Sequence, residues 1–296
     1  MNSTKKKLKK VLSLLLCFIL LFTIVSCSNN TITTQTNDNS SLQLVENGKF
    51  KVAMECAYAP YNWTQNDSSN DAVQISGSVD YAYGYDVMIA KEIAKQLNLE
   101  LEIIKLDWDS LIPALISKTV DCVIAGQSIT AERLTSVDFT TPYYYASIVT
   151  LTKKNSKYAN AKSINDLNGA KATSQLNTVW YDRCLPQIPS VQKLSAFEAA
   201  PQMLVSLESG ACDIVITDMP TAKAALIAYP DFTILDFSKN ESGNFSVSDE
   251  DINIGCSLRK GNEKLLQSIN NILSSYSVDD YNALMESAIK VQPLSN

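Results

Sequence analysis

Short apolar runs alternate with amphipathic stretches along most of this chain. Three apolar runs predict strands in the first half, at Phe50–Met54, Leu99–Leu106 and Val120–Ala125. Between them, the apolar residues of Asp86–Leu97 recur at the spacing of one helix face, and Asp109–Ile116 predicts a short helix. Strands separated by helical segments are typical of parallel α/β layers, so the pattern predicts that fold class.

The second half repeats this pattern. It predicts a helical turn at Ser163–Leu167, a strand at Lys171–Gln175, a helix at Ala199–Ser209 and a strand at Ile214–Thr217. Residues 115–124 (LISKTVDCVI) also resemble residues 207–216 (LESGACDIVI), each indicating a helix end, a turn, an aspartate and a buried strand. This echo suits two similar α/β lobes with a ligand site between the carboxyl ends of their strands.

The first 44 residues are expected to lie outside the fold. Five lysines within residues 5–10 precede an apolar run from Val11 to Val25, which is typical of a secretory signal and too short for a confident membrane span. The tetrad ending at Cys27 resembles a lipobox, which predicts a signal peptide at 1–26 and an acyl lipid such as palmitate on Cys27. The alternative is an ordinary cleaved signal with a coincidental cysteine. Residues 27–44 are polar and predict a flexible tether.

Composition excludes several classes of function. Without the five signal lysines, 20 basic residues face 31 acidic ones, a net charge of −11 that argues against nucleic acid and anionic membrane surfaces as partners. The chain contains no histidine, which excludes Ser-His-Asp and Cys-His catalysis and histidine-ligated metals. The five cysteines beyond residue 27 contain no CxxC pair, so neither a zinc site nor a dense disulfide framework is indicated. We expect no metal and no cofactor.

The segment Asp121–Tyr145 carries the clearest chemical signal. Its apolar run ends at Gly126, and small polar residues lead to Thr130 and Arg133, which indicates a strand opening onto a helix start. A helix N-terminus favours anions, and an arginine fork matches the two oxygens of a carboxylate. The segment therefore predicts a receptor for a small carboxylate.

Several spaced motifs resemble the family 3 solute-binding proteins, receptors of ABC importers for polar amino acids. The resemblance covers roughly residues 45–290 and depends on Gly84–Val87, Leu111–Leu115, Asp121, Ala125–Arg133, Val137–Phe139 and Pro142–Tyr144. It implies a two-lobed α/β fold of the periplasmic-binding-protein type II, which closes on its ligand about two crossover strands. We expect the crossovers near Ser147–Leu151 and Ile252–Ser257, lobe one at 45–147 plus 252–296, and lobe two at 148–251.

The resemblance also implies how the chain works. It would be a monomeric, lipid-anchored receptor on the extracytoplasmic face of the cell membrane. It would bind a free L-amino acid and deliver it to the permease and ATPase subunits of an importer. Catalysis is not expected.

The family's head-group residues carry over to four positions. Arg133 resembles the carboxylate-binding arginine, with a surface ion pair as the alternative. Gly126 and Ser128 match positions that contact the α-amino and α-carboxylate groups, and Ser128 could also cap a helix. Asp218 resembles the acid that pairs with the α-ammonium, although an aspartate at a strand end can be a turn residue.

Five further positions are expected to line the site. Thr178 matches a carboxylate donor of lobe two, in surroundings where Asn177 stands in place of the family's glycine, and Gln175 could face the ligand's side chain. An asparagine tolerates positive φ better than most residues, so it can replace that glycine. Tyr58 and Trp108 match aromatic positions that sandwich the ligand stem, with core packing as the alternative.

Glu55 is expected to reach the tip of the ligand's side chain. An anionic Glu55 between two rings disfavours acidic ligands and allows arginine, lysine, histidine or glutamine. Two other functions stay open: a dehydratase-like enzyme on the same fold that uses Glu55 as general acid or base, for which no second catalytic group is found, and a sensory binding module that signals through a partner. The polar segment Asn62–Asp80 is expected to be a mobile insertion.

Overall fold

The computed structural model describes residues 39–293. The predicted signal peptide, Cys27 and most of the tether lie outside these residues. Asn39–Leu42 form a 3-10 turn, and Leu42 is buried among the apolar residues of the core, so the end of the predicted tether packs on the fold. Over residues 39–293, no helix combines the length and the apolar character that a membrane span requires.

The strands and helices alternate as the pattern predicts, with more strands than expected. The strands are β1 (Lys49–Met54), β2 (Ala57–Tyr58), β3 (Asn62–Gln65), β4 (Val73–Gln74), β5 (Tyr81–Tyr83), β6 (Glu100–Lys105), β7 (Cys122–Val123), β8 (Val137–Phe139), β9 (Tyr144–Tyr145), β10 (Ile148–Lys153), β11 (Lys171–Thr173), β12 (Gln192–Lys193), β13 (Ile214–Asp218), β14 (Phe232–Leu235), β15 (Asn253–Ile254) and β16 (Ser257–Arg259). The α-helices are α1 (Tyr85–Gln96), α2 (Leu111–Ile116), α3 (Ala131–Leu134), α4 (Ala200–Glu208), α5 (Met219–Ala228), α6 (Asp249–Ile252), α7 (Glu263–Leu273) and α8 (Val278–Val291).

Two five-stranded sheets form the cores of two lobes. Lobe one is built on the order β6-β1-β7-β16-β8, and lobe two on the order β12-β11-β13-β10-β14. In lobe one, β1 pairs in parallel with β6 and β7, whereas β16 pairs antiparallel with β7 and β8. Lobe two has the same arrangement, with β10 as its antiparallel strand. The predicted parallel α/β layers are thus present in both lobes, and each sheet also contains one antiparallel strand that the pattern did not predict.

The echo between residues 115–124 and 207–216 corresponds to one structural unit in each lobe. Asp121 precedes β7 and accepts a hydrogen bond from the backbone N–H of Lys51, at 2.9 Å, in the neighbouring strand. Asp213 precedes β13 and accepts from the backbone N–H of Lys171, also at 2.9 Å. Each aspartate thus ties the start of one parallel strand to the next, which explains the shared position of the acid in both segments.

The two crossovers pair with each other between the lobes. Tyr144–Tyr145 (β9) and Asn253–Ile254 (β15) form a two-stranded antiparallel sheet. The second lies within the expected Ile252–Ser257, but the first lies before the expected Ser147–Leu151. Ile148–Lys153 is instead a strand of lobe two, paired on both sides. An apolar run predicts a strand but not which sheet it joins, which explains this error. The predicted residue boundaries of the lobes remain a prediction.

The segment Asn62–Asp80 is not the mobile insertion that its polarity suggested. It contributes β3 and β4 to a four-stranded antiparallel sheet of order β2-β3-β5-β4. Asn62 is fully buried: its amide donates to Asp86 Oδ2 at 2.8 Å, and its Oδ1 accepts from the backbone N–H of Cys56 at 2.7 Å. The sheet therefore supports the loop that carries Glu55.

Candidate functional site

A small cavity of about 10 Å³ lies between the lobes, at the carboxyl ends of their central strands. Seven of the nine predicted ligand-binding residues line it: Tyr58, Trp108, Gly126, Ser128, Arg133, Gln175 and Thr178. Val179 and Trp180 complete the lining. The other two, Glu55 and Asp218, lie directly behind this lining. A second cavity of about 370 Å³ adjoins it and shares Trp108, Arg133, Thr178 and Val179.

Arg133 spans the cleft from lobe one to lobe two. Its Nη1 donates to the carbonyl of Ser128 in its own lobe, and its Nη2 donates to the carbonyl of Asn177 in lobe two, both at 3.0 Å. The guanidinium lies over the Trp108 ring, 5.2 Å from its centre, as expected for a cation–π contact. Burial lowers the pKa of Arg133 to about 10, so the side chain stays charged at neutral pH.

The junction that holds Arg133 is a turn followed by a short helix. Thr130 caps α3, because its hydroxyl accepts from the backbone N–H of Arg133 at 3.2 Å. The capping role considered for Ser128 thus belongs to Thr130. Ser128 forms a β-bridge with Ile254 of the second crossover, which attaches the loop of the site to the hinge.

Gly126 has a backbone conformation and surroundings that exclude a side chain. Its φ is +61°, and an added Cβ would lie 2.7 Å from Tyr58 Cε1. Its N–H donates to the hydroxyl of Tyr143 at 3.2 Å, and that hydroxyl donates to Asp86 Oδ1 at 2.7 Å. Burial raises the pKa of Asp86 to about 7. These buried hydrogen bonds hold the backbone of Gly126 in position at the site.

Asp218 accepts one hydrogen bond in its own lobe and one across the cleft. It ends β13 and caps α5, because its Oδ1 accepts from the backbone N–H of Thr221 at 2.9 Å. Its Oδ2 accepts from the hydroxyl of Tyr58, in lobe one, at 2.6 Å. The residue is only 1% exposed, and burial raises its pKa. The carboxylate is therefore both a structural cap and a buried acceptor beside the cleft.

Glu55 faces Gln175 across the cleft. Its Oε1 accepts from Gln175 Nε2 at 3.1 Å, and the same amide donates to the carbonyl of Glu198 at 3.0 Å. Its Oε2 is buried and has no hydrogen-bond partner among residues 39–293. Burial raises the pKa of Glu55 from 4.5 to about 7. An unpaired buried acceptor of this kind favours a donor supplied by a ligand.

In lobe two, the loop at residues 175–178 has the backbone geometry that Asn177 must adopt in place of the family's glycine. Asn177 has a φ of +54°, so it takes the left-handed conformation expected of a glycine substitute. Thr178 donates through Oγ1 to the carbonyl of Gln175 at 2.7 Å and lines the cavity. The predicted strand Lys171–Gln175 ends earlier, at Thr173, which leaves Gln175 free to turn into the cleft.

Aromatic rings surround the cavity on both lobes. Tyr58 stacks on Tyr61 with ring centres 4.8 Å apart, and it meets Trp180 of lobe two at 6.2 Å. Sequence reasoning missed Trp180 and Tyr143. Trp180 follows Thr178 by two residues and begins the π-helix Trp180–Cys184, and this proximity to Thr178 was the available signal. The role of Tyr143 depends on a contact with a distant residue, Asp86, and no local pattern indicates it.

Comparison with known proteins places the chain in a family. The sequence model of the bacterial extracellular solute-binding proteins, family 3, matches residues 50–290. The chain belongs to this family. Because the match spans both sheets and both crossovers, it applies to the whole of the described fold.

Individual relatives agree with this assignment. A probable histidine-binding protein of Campylobacter jejuni is 31% identical over 220 residues, which cover 73% of this chain and 78% of the relative. The L-cystine-binding protein TcyJ of Escherichia coli is 28% identical over 79% of each chain. The solved structure of the amino acid ABC transporter substrate-binding protein AbpA from Streptococcus pneumoniae, bound to L-arginine, is 26% identical with a TM-score of 0.67, over 82% of this chain and 95% of that one.

Proposed function

We propose that this chain is an extracytoplasmic receptor that binds a polar L-amino acid between its lobes and delivers it to an ABC importer. A single observation carries the proposal: Arg133 of lobe one and Asp218 of lobe two provide opposite charges beside one cavity. A zwitterion offers a carboxylate to the first and an ammonium to the second. Charge-assisted hydrogen bonds in a closed, water-poor cleft are the strong ones, so both ends of the amino-acid head would be recognised.

The side-chain end of the site favours a cationic or amide group. Glu55 supplies an unpaired, buried carboxylate oxygen, and Gln175 beside it supplies an amide. Tyr58, Trp108 and Trp180 supply aromatic faces that suit an aliphatic stem or a guanidinium. Arginine, lysine, histidine and glutamine are therefore the proposed ligands, and glutamate and aspartate are disfavoured. The relative named as a probable histidine-binding protein and the neighbour bound to L-arginine support this choice of ligands.

The experiment that tests the proposal is a thermal-shift screen of the twenty amino acids and cystine, followed by calorimetry on each compound that stabilises the protein. A ligand that binds the native state and not the unfolded one raises the melting temperature by mass action. We expect shifts with basic amino acids or glutamine. A shift with glutamate or aspartate alone would overturn the Glu55 argument, and no shift with any amino acid would overturn the proposed function.

The location is proposed from the N-terminal sequence. Lipidation at Cys27, after removal of residues 1–26, would hold the receptor on the extracytoplasmic face of the cell membrane, tethered by the polar residues that follow. Mass spectrometry of the membrane fraction tests this directly. The expected N-terminal peptide begins at an acylated Cys27, and a Cys27→Ala variant should be released. An unmodified cysteine in the membrane-bound protein would contradict it.

We further propose that the chain binds without catalysing a reaction. The pKa of about 7 would suit Glu55 for acid or base chemistry, but the side chain that hydrogen-bonds it, Gln175, is neither an acid nor a base. Incubation of each bound amino acid with the protein, followed by mass spectrometry, should return it unchanged. A product that forms with the parent protein and not with Glu55→Gln would favour a dehydratase-like enzyme instead.

A further inference from the structure

Asn177 makes a contact across the cleft that its backbone conformation does not require. Its Nδ2 donates to Asp109 Oδ1 at 2.7 Å, and Asp109 lies in the 3-10 turn Trp108–Ser110 of lobe one. A glycine would adopt the same positive φ without strain and would leave this bond unmade. The amide of Asn177 thus adds a charge-assisted hydrogen bond between the lobes to a position that otherwise needs only backbone freedom.

Asn177 and Asp109 also contact or adjoin two residues of the ligand site, Arg133 and Trp108. The carbonyl of Asn177 accepts from Arg133 Nη2 at 3.0 Å, and Asp109 directly follows Trp108, whose ring supports the Arg133 guanidinium. The backbone carbonyl of Asn177 therefore holds the Arg133 guanidinium. Its side chain holds Asp109, the residue next to Trp108. All of these groups line the larger cavity, and Trp108 and Arg133 also line the ligand cavity.

We propose that Asn177 and Asp109 form a latch across the cleft, which positions Arg133 and Trp108 against the bound ligand and slows its release. The proposal depends on the proposed function for the identity of the ligand, but the latch itself lies between residues of the protein. Its hydrogen bond forms only when the lobes meet, so it stabilises the closed arrangement and leaves the open one unaffected. Release requires opening, and the latch therefore acts mainly on the dissociation rate.

The test is a double-mutant cycle on ligand dissociation. Asn177→Gly keeps the positive φ and the carbonyl that Arg133 uses, and it removes only the amide. Asp109→Ala removes the acceptor. Each variant should release ligand about fivefold faster in stopped-flow measurements, because an exposed charge-assisted hydrogen bond contributes on the order of a factor of three to ten. The double variant should release ligand no faster than either single one, since one interaction is lost in all three.

Two further variants separate positioning from a general loss of charge or structure. Asp107→Ala removes an acid from the same exposed loop, and its side chain makes no capping hydrogen bond there, so its release rate should match the parent's. Asp109→Asn keeps an acceptor oxygen and should recover most of the parent's slow release. Association rates should change by less than twofold in every variant, a pattern that a destabilised fold would not give.

Two outcomes would overturn the latch: additive rate effects in the double variant, or equally fast release from Asp107→Ala. If the parent protein binds no amino acid, the proposed function fails, and small-angle scattering then decides the latch separately. Without ligand, Asn177→Gly and Asp109→Ala should be more open, with a larger radius of gyration than the parent and Asp107→Ala. Identical scattering from all four proteins would reject the latch whatever the ligand.

Discussion

The hydroxyl of Tyr58 donates to Asp218 Oδ2 at 2.6 Å, across the cleft between the two lobes. Tyr58 lies in the small sheet of lobe one, and Asp218 ends the central strand of lobe two. The bond gives the proposed ammonium-binding acid a partner from the opposite lobe, and the second oxygen of the acid caps α5. The closing of the two lobes and the hydrogen bonding of the Asp218 carboxylate are thus linked through Tyr58.

Asp218→Asn should reduce amino-acid affinity at least thirtyfold and leave the fold intact. The amide oxygen can still accept from the backbone N–H of Thr221, so the cap of α5 is retained, but the negative charge that attracts an ammonium is lost. Loss of one partner in a buried charged pair costs about 2–5 kcal/mol. Calorimetry measures the affinity, and circular dichroism provides the control for folding. Near-parent affinity would remove Asp218 from the site.

Arg133→Ala should abolish calorimetric binding, and Arg133→Lys should restore only part of it. A lysine keeps the charge but cannot donate at once to Ser128, to Asn177 and to a carboxylate in the geometry of the planar fork. A carboxamide analogue of the ligand, which lacks the anionic oxygen, should bind the parent and Arg133→Ala equally weakly. A clear preference of Arg133→Ala for the carboxylate form would show that another group reads it.

The affinity for a cationic amino acid should rise with pH through about 7. Burial raises the pKa of Glu55 to about 7, and the ionised form attracts a cation, so binding below this pH requires the loss of a proton. The stability of the ligand-free protein has the opposite sign: because the folded pKa is raised from 4.5, the contribution of Glu55 is full at low pH and is lost as the pH rises through about 7.

Glu55→Gln is the matched control for this pH dependence. Asp86 also has its pKa raised to about 7 and is present in both proteins, so the difference between the two curves reports Glu55 alone. We expect a flat affinity for arginine in the variant across pH 6–8, measured by calorimetry in buffers of different ionisation enthalpy. Parallel curves for the parent and the variant would assign the titration to Asp86 or another group.

Gly126→Ala should weaken both stability and binding. Its Cβ would lie 2.7 Å from the ring of Tyr58 at a φ of +61°, so either the ring or the loop must move, at a cost of about 1–3 kcal/mol. Gly169→Ala is the control, because Gly169 has a φ of +75° but nothing within 4 Å of an added Cβ. It should lose about 1 kcal/mol by denaturant unfolding and bind normally. Equal affinities of the two variants would contradict the crowding at Gly126.

The sequence predicted the elements that depend on local pattern. The helix α1 follows from its apolar spacing, the cap at the start of α3 from Thr130, and the left-handed turn from Asn177. Each of these depends on residues within one or two turns of the chain. The family resemblance added the long-range grouping of Arg133, Thr178 and Asp218, which periodicity alone does not supply.

The predictions that were wrong concern contacts between residues far apart in the sequence. The direction of β10 and its place in the second sheet depend on pairing with β13 and β14, which lie more than sixty residues away in the sequence. The polar segment Asn62–Asp80 becomes ordered because Asn62 hydrogen-bonds Asp86, a distant buried partner. Tyr143 enters the site in the same way, through its hydrogen bond to Asp86. Interactions between segments that are far apart in the chain produce no periodic pattern in the amino-acid sequence.

The position of β16 has a consequence for how the chain folds. This strand lies between β7 and β8 in the first sheet, although it follows the whole of lobe two in the sequence. Lobe one therefore stays incomplete until almost all of the chain has emerged, whereas lobe two can form from one continuous stretch. Contacts between such remote strands form slowly, because the intervening loop must close first. A chain secreted N-terminus first would thus remain unfolded in lobe one, and so able to pass through a narrow channel, until β16 arrives.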